Sequence, residues 1–592
     1  MDFKLFKYFK DFNKLSSTNL VVFVIFNFFV GLLDGIGLVM FIPLLYFAIK
    51  NDDTQSLGNM EYIVNAFQYF NVPINLISVL VLMVLLFFVK GIMAYIRSLL
   101  SIKIQQSSAR TIRFQLIDSL QRLSYEGFSK VDSGYIQNNM TTETNRYISA
   151  INIYLACLQN ISMMLIYVFM AIFADWKFAV LVVIGGLLTN IVFKYLNHYT
   201  TIYGQKLSNI GRNFQNYLIQ NIINFKYLKA TNYYEIYNEK LKREILLSEN
   251  TQYKIGRISA ISDNLREPLI ILIISIVMVV QLYFLNGNMI HMMAAILLFY
   301  RSLNHLTTFQ GFWNKFLANI PAKFSIDSMM HSFSTFSEPK GHNKISRIGA
   351  IEIKDLNFSY GDRKILDSIN ITIKNKSSIA LVGESGAGKT TLANIIGGLI
   401  EPKSGQVIID GEQISQIDIK SFRNKVGYVT QEPVIFDDTL FNNITFWQEK
   451  NDENLAKFWK VIERASLKEF FEAHDNNEDL PLGSNGILIS GGQKQRISIA
   501  RELYKDIDLI ILDEATSALD SETEKYIKEQ IDNLSGKATM VIIAHRLSTI
   551  KNTDIIFLME NGKIVEFGSY EELYQKSSKF QSMVKLQNLA YD

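Results

Sequence analysis

Cysteine is almost missing: Cys157 is the only one in 592 residues. A lone thiol excludes an intramolecular disulfide framework and any cysteine-rich metal site. A papain-like peptidase domain at the N-terminus is not expected either. Charge is scarce too, with Asp, Glu, Lys and Arg at 19% of residues, below the ~25% of soluble chains. Neither sign dominates. Lys and Arg number 59 against 56 Asp and Glu, a net charge of +3, so no nucleic-acid partner is expected. What the chain has instead is apolar bulk, with 49% hydrophobic and 12% aromatic residues, which excludes a disordered chain and a purely soluble enzyme. At roughly 100–200 residues per domain, the length implies several domains.

The apolar residues fall in blocks. Runs at about 20–47, 76–97, 151–174, 178–196, 268–286 and 289–317 predict six helices able to cross ~30 Å of hydrocarbon. The first is too long for a cleavable signal and lacks a small-residue cleavage site. Basic residues set the expected orientation. Lys4, Lys7, Lys10 and Lys14 precede span one, and Arg97, Lys103, Arg110, Arg113 and Arg122 lie near or between spans two and three. Lys206, Arg212, Lys226, Lys229, Lys240, Lys242 and Arg243 fill the loop before span five. The intervening loops are acidic (Asp52, Asp53, Glu61), short (175–177) or uncharged (286–288). Both termini are therefore expected in the cytoplasm, with the chain multi-pass in the cytoplasmic (inner) membrane.

The two basic loops, roughly 98–150 and 196–266, are amphipathic and lack proline. They read as cytoplasmic extensions of the membrane helices, with plain helical hairpins as the alternative. Short contact helices are candidates at 127–134 and 224–234. Composition turns polar at 331–348, the expected linker between a transmembrane domain at 1–330 and a second domain at 349–592. There, strand-like runs at 351–353, 379–382, 407–409, 509–512 and 539–543 alternate with helical segments, predicting an α/β domain with a largely parallel sheet.

The chemistry lies in that second domain. The apolar run 379–382 leads directly into Gly383-Glu384-Ser385-Gly386-Ala387-Gly388-Lys389-Thr390-Thr391. This is G-x-x-x-x-G-K-[ST] between a strand and a helix, the context that a phosphate-binding loop requires. Its glycines let backbone N–H groups turn toward phosphate oxygens, and the helix N-terminus adds a favourable dipole. Lys389 can reach the β- and γ-phosphates of ATP, and the Thr390 hydroxyl can ligate Mg²⁺. A second strand ends in Asp513-Glu514, 124 residues after Lys389. Asp513 suits Mg²⁺, and Glu514 suits polarisation of the attacking water. His198, His331, His342 and His474 show no metal-ligand spacing, so no metal beyond the Mg²⁺ of MgATP is implied.

Between these motifs, Ile489-Ser490-Gly491-Gly492-Gln493-Lys494-Gln495-Arg496 resembles the signature of ATP-binding cassette proteins. Tyr360 before the phosphate loop, Gln431, Ser517-Ala518-Leu519-Asp520 and His545 fit the same family. The resemblance covers the whole chain: six helical spans followed by an α/β cassette is the exporter arrangement. Within it the chain is similar to bacterial flippases of lipid-linked oligosaccharides, on Asp34 in span one and Tyr300-Arg301 in span six. The resemblance implies a two-fold homodimer with ATP held between Lys389 of one cassette and Ser490-Gly491-Gly492-Gln493 of the other. Tyr360 would stack on adenine, His545 would contact the γ-phosphate, and Gln431 would sense Mg²⁺ and the membrane domain. With Glu514 and His545 both present, two working sites are expected. Two departures stand out. Ile489 replaces the usual leucine, and no acid lies between Pro481 and Gly492, where exporters carry one that contacts the coupling helices; Glu478 and Asp479 are the nearest substitutes.

Ionisable residues inside spans are functional candidates by default. Asp34 is flanked by Gly31, Gly35 and Gly37, which permit close helix packing. It can pair with Lys90, contact substrate or line a solvated cavity. Arg301 and His305 are four apart and share a helix face. They can bind an anionic group such as a pyrophosphate, or Arg301 can snorkel to the membrane surface. Three functions follow: ATP-driven export or flipping of an amphiphilic substrate such as a lipid-linked oligosaccharide, export of peptides or drugs, and a non-transporting ATP-gated membrane protein. The partners implied are a second copy, membrane lipids and the amphiphilic substrate.

Overall fold

The computed structural model describes residues 4–40, 76–174, 176–284, 289–338, 341–514, 529, 536–544 and 546–588. These divide into two compact units, with the main boundary between Phe336 and Ser337. The first unit is helical. After α1 (Lys4–Leu15), the Asn19 side chain accepts from Val21 N and starts α2 (Leu20–Val39). The first span was expected to reach residue 47, but 41–75 lie outside the described residues, as does the acidic loop read there. The helix α3 (Leu76–Gln121) then runs for 46 residues, roughly 70 Å at 1.5 Å per residue. That is more than twice the hydrocarbon thickness, so a long part projects beyond any bilayer. Among the described residues, Leu20–Val39, Leu76–Gln121 and Ser133–Ile172 are long and apolar enough to cross a membrane.

The candidate contact segments are short helices, α4 (Tyr125–Lys130) and, beyond α7 below, Phe225–Ala230. Asp132 caps α5 (Ser133–Asn138) by accepting from Gly134 N and Tyr135 N. A π-helical turn at Asn139–Glu143 leads into α6 (Thr144–Ala174), followed by the 48-residue α7 (Trp176–Ile223). Then come α8 (Phe225–Ala230), α9 (Tyr234–Asn264), α10 (Arg266–Phe284), α11 (Met289–Asn319) and α12 (Pro321–Thr335). The last extends into the segment read as linker. Both long basic loops are thus helical, with long helices running on past the expected span ends and short helices between them.

Two apolar cores hold the unit. One gathers Tyr8, Phe12, Tyr154 and Phe316 where the extensions meet, with Phe12 edge-on to Tyr154 at 5.0 Å. The other gathers Val30, Met163, Tyr167, Ile274 and Phe299 at span level. The glycines of α2 explain its close seat: a Cβ on Gly31 would meet Ile166, one on Gly35 would meet Met170, and one on Gly37 would lie 2.8 Å from the Phe87 ring. By contrast, Ile77, Val81, Val84 and Phe88 of α3 stay exposed, as lipid-facing side chains do.

The second unit has two sheets. A four-stranded antiparallel sheet has the order β2-β1-β4-β5, from β1 (Ile351–Tyr360), β2 (Arg363–Ile373), β4 (Ser404–Ile409) and β5 (Glu412–Gln413). A six-stranded sheet is built around β3 (Ser378–Gly383), which pairs in parallel with β8 (Thr539–Ile543) and β9 (Ile555–Glu560). Parallel pairs β7 (Leu509–Asp513) with β8 and β6 (Val426–Val429) extend it, and antiparallel β10 (Lys563–Gly568) closes the other edge. The parallel sheet predicted from sequence is real, but the runs 351–353 and 407–409 do not belong to it. They pair with each other, antiparallel, in the separate sheet, with Ile351 opposite Ile409 and Ile353 opposite Val407. Apolar runs alone do not encode strand direction. A helical layer with its own core (Leu440, Phe458, Phe471, Ile497) packs on Val429, Ile510 and Leu512.

Candidate functional site

β3 is buried along Ser378–Val382, as a central parallel strand should be. It delivers the chain into the loop 383–388, whose backbone only glycine tolerates at two points. Gly388, at φ +98, caps α13 (Lys389–Ile396), and a Cβ there would lie 2.7 Å from Leu366 Cδ2. Gly383, at φ +153, leaves no room for a Cβ against the Met559 carbonyl. Lys389 is buried, and its Nζ donates to the carbonyls of Gly383 (2.8 Å) and Glu384 (2.9 Å). Burial pulls its pKa below the ordinary lysine value, and the charges of Glu514 and Asp513 oppose that fall. The loop lysine and the two strand-end acids, 124 residues apart in sequence, therefore feel each other's charge.

β7 ends on buried Asp513, and Glu514 leaves the strand with φ +50 while its N–H donates to Ile543 O at 3.1 Å. The next strand edge presents Gln431, whose Nε2 donates to Glu514 Oε2 at 2.8 Å. Tyr360 lies near Thr391, and partial burial lifts its phenol above the ordinary tyrosine value. Thr390 and Ser385 are exposed at the loop. Tyr428, which sequence reasoning missed, anchors the helix after the loop by donating to Asn394 Oδ1 at 2.8 Å. A glycine-turned loop with a buried lysine, a helix N-terminus and a facing carboxylate pair fits a magnesium–triphosphate.

The signature segment is built elsewhere in the cassette. Ser490 caps α14 (Gly491–Tyr504) in a capping box: Gln493 N donates to Ser490 Oγ (3.3 Å), and Ser490 N donates to Gln493 Oε1 (2.8 Å). Among the described residues, no hydrogen bond joins Ser490–Gln493 to the phosphate loop. The helix is pinned from behind by buried Arg501, donating to Asn443 O (2.6 Å), Asn443 Oδ1 (3.0 Å) and Val434 O (2.8 Å). Arg501 carried no motif signal; only its depth in the fold marks it. Glu478 and Asp479, the acids nearest the divergent segment, face Lys450 at 3.6 and 2.8 Å. His545 and Ser517–Asp520 fall outside the described residues.

In the helical unit, Asp34 is paired with Lys90 and accepts from the Tyr167 hydroxyl. The pairing with Lys90 was one of the sequence alternatives. His305 stacks on the Tyr167 ring at 5.5 Å and bonds Asn160 Oδ1 at 2.9 Å through Nδ1. Four helices, α2, α3, α6 and α11, thus share one polar knot. Tyr167 and Asn160 gave no sequence signal because each is unremarkable in an apolar run. Arg301 lies on the exposed side of α11, with no hydrogen bond or ion pair among the described residues.

Residues 366–517 match the family model described as ABC transporter, and residues 20–303 match that described as ABC transporter transmembrane region. The chain is 30% identical over 524 residues to the ATP-dependent lipid A-core flippase of Syntrophus aciditrophicus, covering 85% of this chain and 84% of that one. The chain belongs to the ABC transporters. Another relative of this ABC transporter is the heterocyst differentiation ATP-binding protein HepA of Nostoc, 28% identical over 586 residues, covering 98% of this chain and 95% of that one. In fold it matches a bacterial Atm1-family ABC exporter with ATP bound, at TM-score 0.78 and 21% identity, over 96% of this chain and 98% of that one. The ABC transporter described here is thus a multi-pass membrane protein that uses ATP, and its hydrolysis is coupled to transport.

Proposed function

We propose that this transporter flips or exports an amphiphilic lipid, of the class of lipid A-core or lipid-linked oligosaccharide, from the cytoplasmic leaflet of the inner membrane. The supporting observation is the similarity to a lipid A-core flippase across both domains rather than over the cassette alone. Two copies form the working unit, six spans each, with both termini cytoplasmic. The phosphate loop of one cassette and Ser490-Gly491-Gly492-Gln493 of the other close on one nucleotide. Thr390, Gln431 and Asp513 would hold Mg²⁺, which would supply charge neutralisation at the phosphates. Lys389 binds the β- and γ-phosphates, Glu514 orients the attacking water, and His545 contacts the γ-phosphate. Closure opens the substrate path outward, and hydrolysis resets it. Asp34, Arg301 and His305 are the polar groups that would meet the substrate's headgroup. Arg301 supplies positive charge while the Asp34 knot sets the geometry around it.

The test is ATP hydrolysis by the purified protein in lipid nanodiscs, with Glu514→Gln as blank. Stimulation by a fractionated lipid extract and not by a peptide fraction is the expected outcome. Stimulation by peptides alone overturns the lipid reading.

A further inference from the structure

The helical extensions carry a cleft that the nucleotide cycle does not use. It lies where the π-helical turn and the start of α6 face α7 and α9, with a volume of about 530 Å³. That is within the ordinary range for a small-molecule site, about 300–1,000 Å³. Asn138, Glu143, Arg146, Gln215, Glu244 and Glu249 supply its polar wall.

The hydrogen-bond ledger of this wall is one-sided. Arg146, its one cation among the described residues, has both terminal nitrogens engaged. NH1 reaches Glu143 Oε1 (2.9 Å) and Ser208 Oγ (2.7 Å), and NH2 reaches Ala318 O (2.8 Å) and Gly204 O (3.2 Å). Glu143, 1% exposed, is thereby neutralised. Glu244 and Glu249 add negative charge, with no ion pair to either among the described residues. Three acceptors on the wall are shut away from solvent with no partner among the described residues: Asn138 Oδ1, Gln215 Oε1 and Glu244 Oε2. Asn138 is itself only 1% exposed. A buried acceptor left unmet bears its full desolvation cost, so three around one cleft call for an external donor. The π turn contributes directly. Its i→i+5 spacing sets Glu143 on the face that carries Asn138, and such turns recur at functional sites.

We infer that this cleft binds a small organic cation carrying two or more N–H-rich groups, a di- or polyamine being the simplest. The charge is the right sign, and the three buried atoms left unmet on the wall among the described residues are all acceptors. A bare metal ion fits less well: among the described residues no three His, Cys, Asp or Glu groups converge closely enough to hold one. The acceptors come from three helices, so an elongated ligand with donors at both ends meets them where a point charge does not. Bound there, it ties α5, α7 and α9 together.

The experiment is titration calorimetry and thermal melting of the full-length transporter in neutral maltoside detergent. Spermidine is the probe, with no nucleotide and no anionic lipid present. A saturable isotherm and a raised melting temperature are expected. Glu244→Gln should weaken binding by about tenfold or more, the size of one lost charge-assisted hydrogen bond. Glu249→Gln, an exposed change that spares the fold, should weaken it as well, whereas Glu239→Gln, which removes an exposed acid outside the cleft, should not. Unchanged binding in both cleft variants overturns the site. An equal response to MgCl₂ at matched ionic strength overturns the organic-cation assignment.

Discussion

Glu514 shows how one side chain is aimed. Its positive φ turns it out of the strand end, its N–H is held by Ile543 O, and Gln431 donates to its carboxylate. Glu514→Gln should keep ATP binding and lower turnover by at least ~100-fold, the usual size of a general-base contribution. Hydrolysis near the wild-type rate in a nucleotide-release assay would refute the role. Lys389→Ala acts earlier, on binding itself, so unchanged affinity for a fluorescent ATP analogue would contradict the phosphate-loop reading. Arg501 is a different kind of residue. Buried, with burial depressing its pKa and three acceptors fixed around it, it holds the signature helix in place. Arg501→Met strands those acceptors and should destabilise the cassette by about 3 kcal/mol, read from the melting of Trp447 and Trp459 fluorescence.

At the scale of elements, two glycines decide contacts that no other residue permits. Gly388 joins the strand to the phosphate-binding helix in a left-handed conformation, packed on Leu366. Gly388→Ala combines strain with a clash and should cost about 1–3 kcal/mol while weakening nucleotide binding. Normal affinity and melting would show that the loop yields without penalty. Gly134, in the short helix after Asp132, lies against the backbone of Asn216 in the long helix α7; an added Cβ would be 2.5 Å from Asn216 Cα. The same pair of segments is joined by Asn216 Nδ2 donating to Asp132 Oδ2 at 3.0 Å. Gly134→Ala therefore pushes two backbones apart and should lower the melting temperature of the helical unit by several degrees. An Asp132→Asn control, which keeps the shape, should have the smaller effect.

The whole molecule poses a problem of completeness. Within one chain the phosphate loop and the Ser490 cap are separately built and not joined by a hydrogen bond among the described residues. If two copies complete each other's sites, Lys389→Ala and Gly491→Glu should each be inactive alone. Co-expressed and purified as a mixed pair, they should regain part of the ATPase activity, because one composite site then carries neither change. Failure of the mixed pair to hydrolyse ATP, with both chains present in it, would argue against shared sites.

The phosphate loop, the Asp513-Glu514 strand end and the signature segment were legible because their patterns are local: a glycine-rich turn, a strand-to-helix switch and a contiguous Ser-Gly-Gly-Gln run are written in adjacent residues. The membrane runs beginning at 20, 76 and 151 were legible because hydrocarbon imposes length and polarity on any helix that crosses it. The pairing of Asp34 with Lys90 was readable as one alternative, since an ionised group in an apolar run demands a partner. Strand direction was not, and the runs 351–353 and 407–409 moved to a second, antiparallel sheet. Nor could spacing reveal Arg501 behind the signature helix, Tyr167 beneath His305, or the acceptor-lined cleft among α6, α7 and α9. Each depends on which distant segments meet. The sequence by itself determined the engine, because its chemistry needs contiguous residues; only the tertiary structure decided what surrounds it, because burial and hydrogen-bond satisfaction are properties of the packed chain.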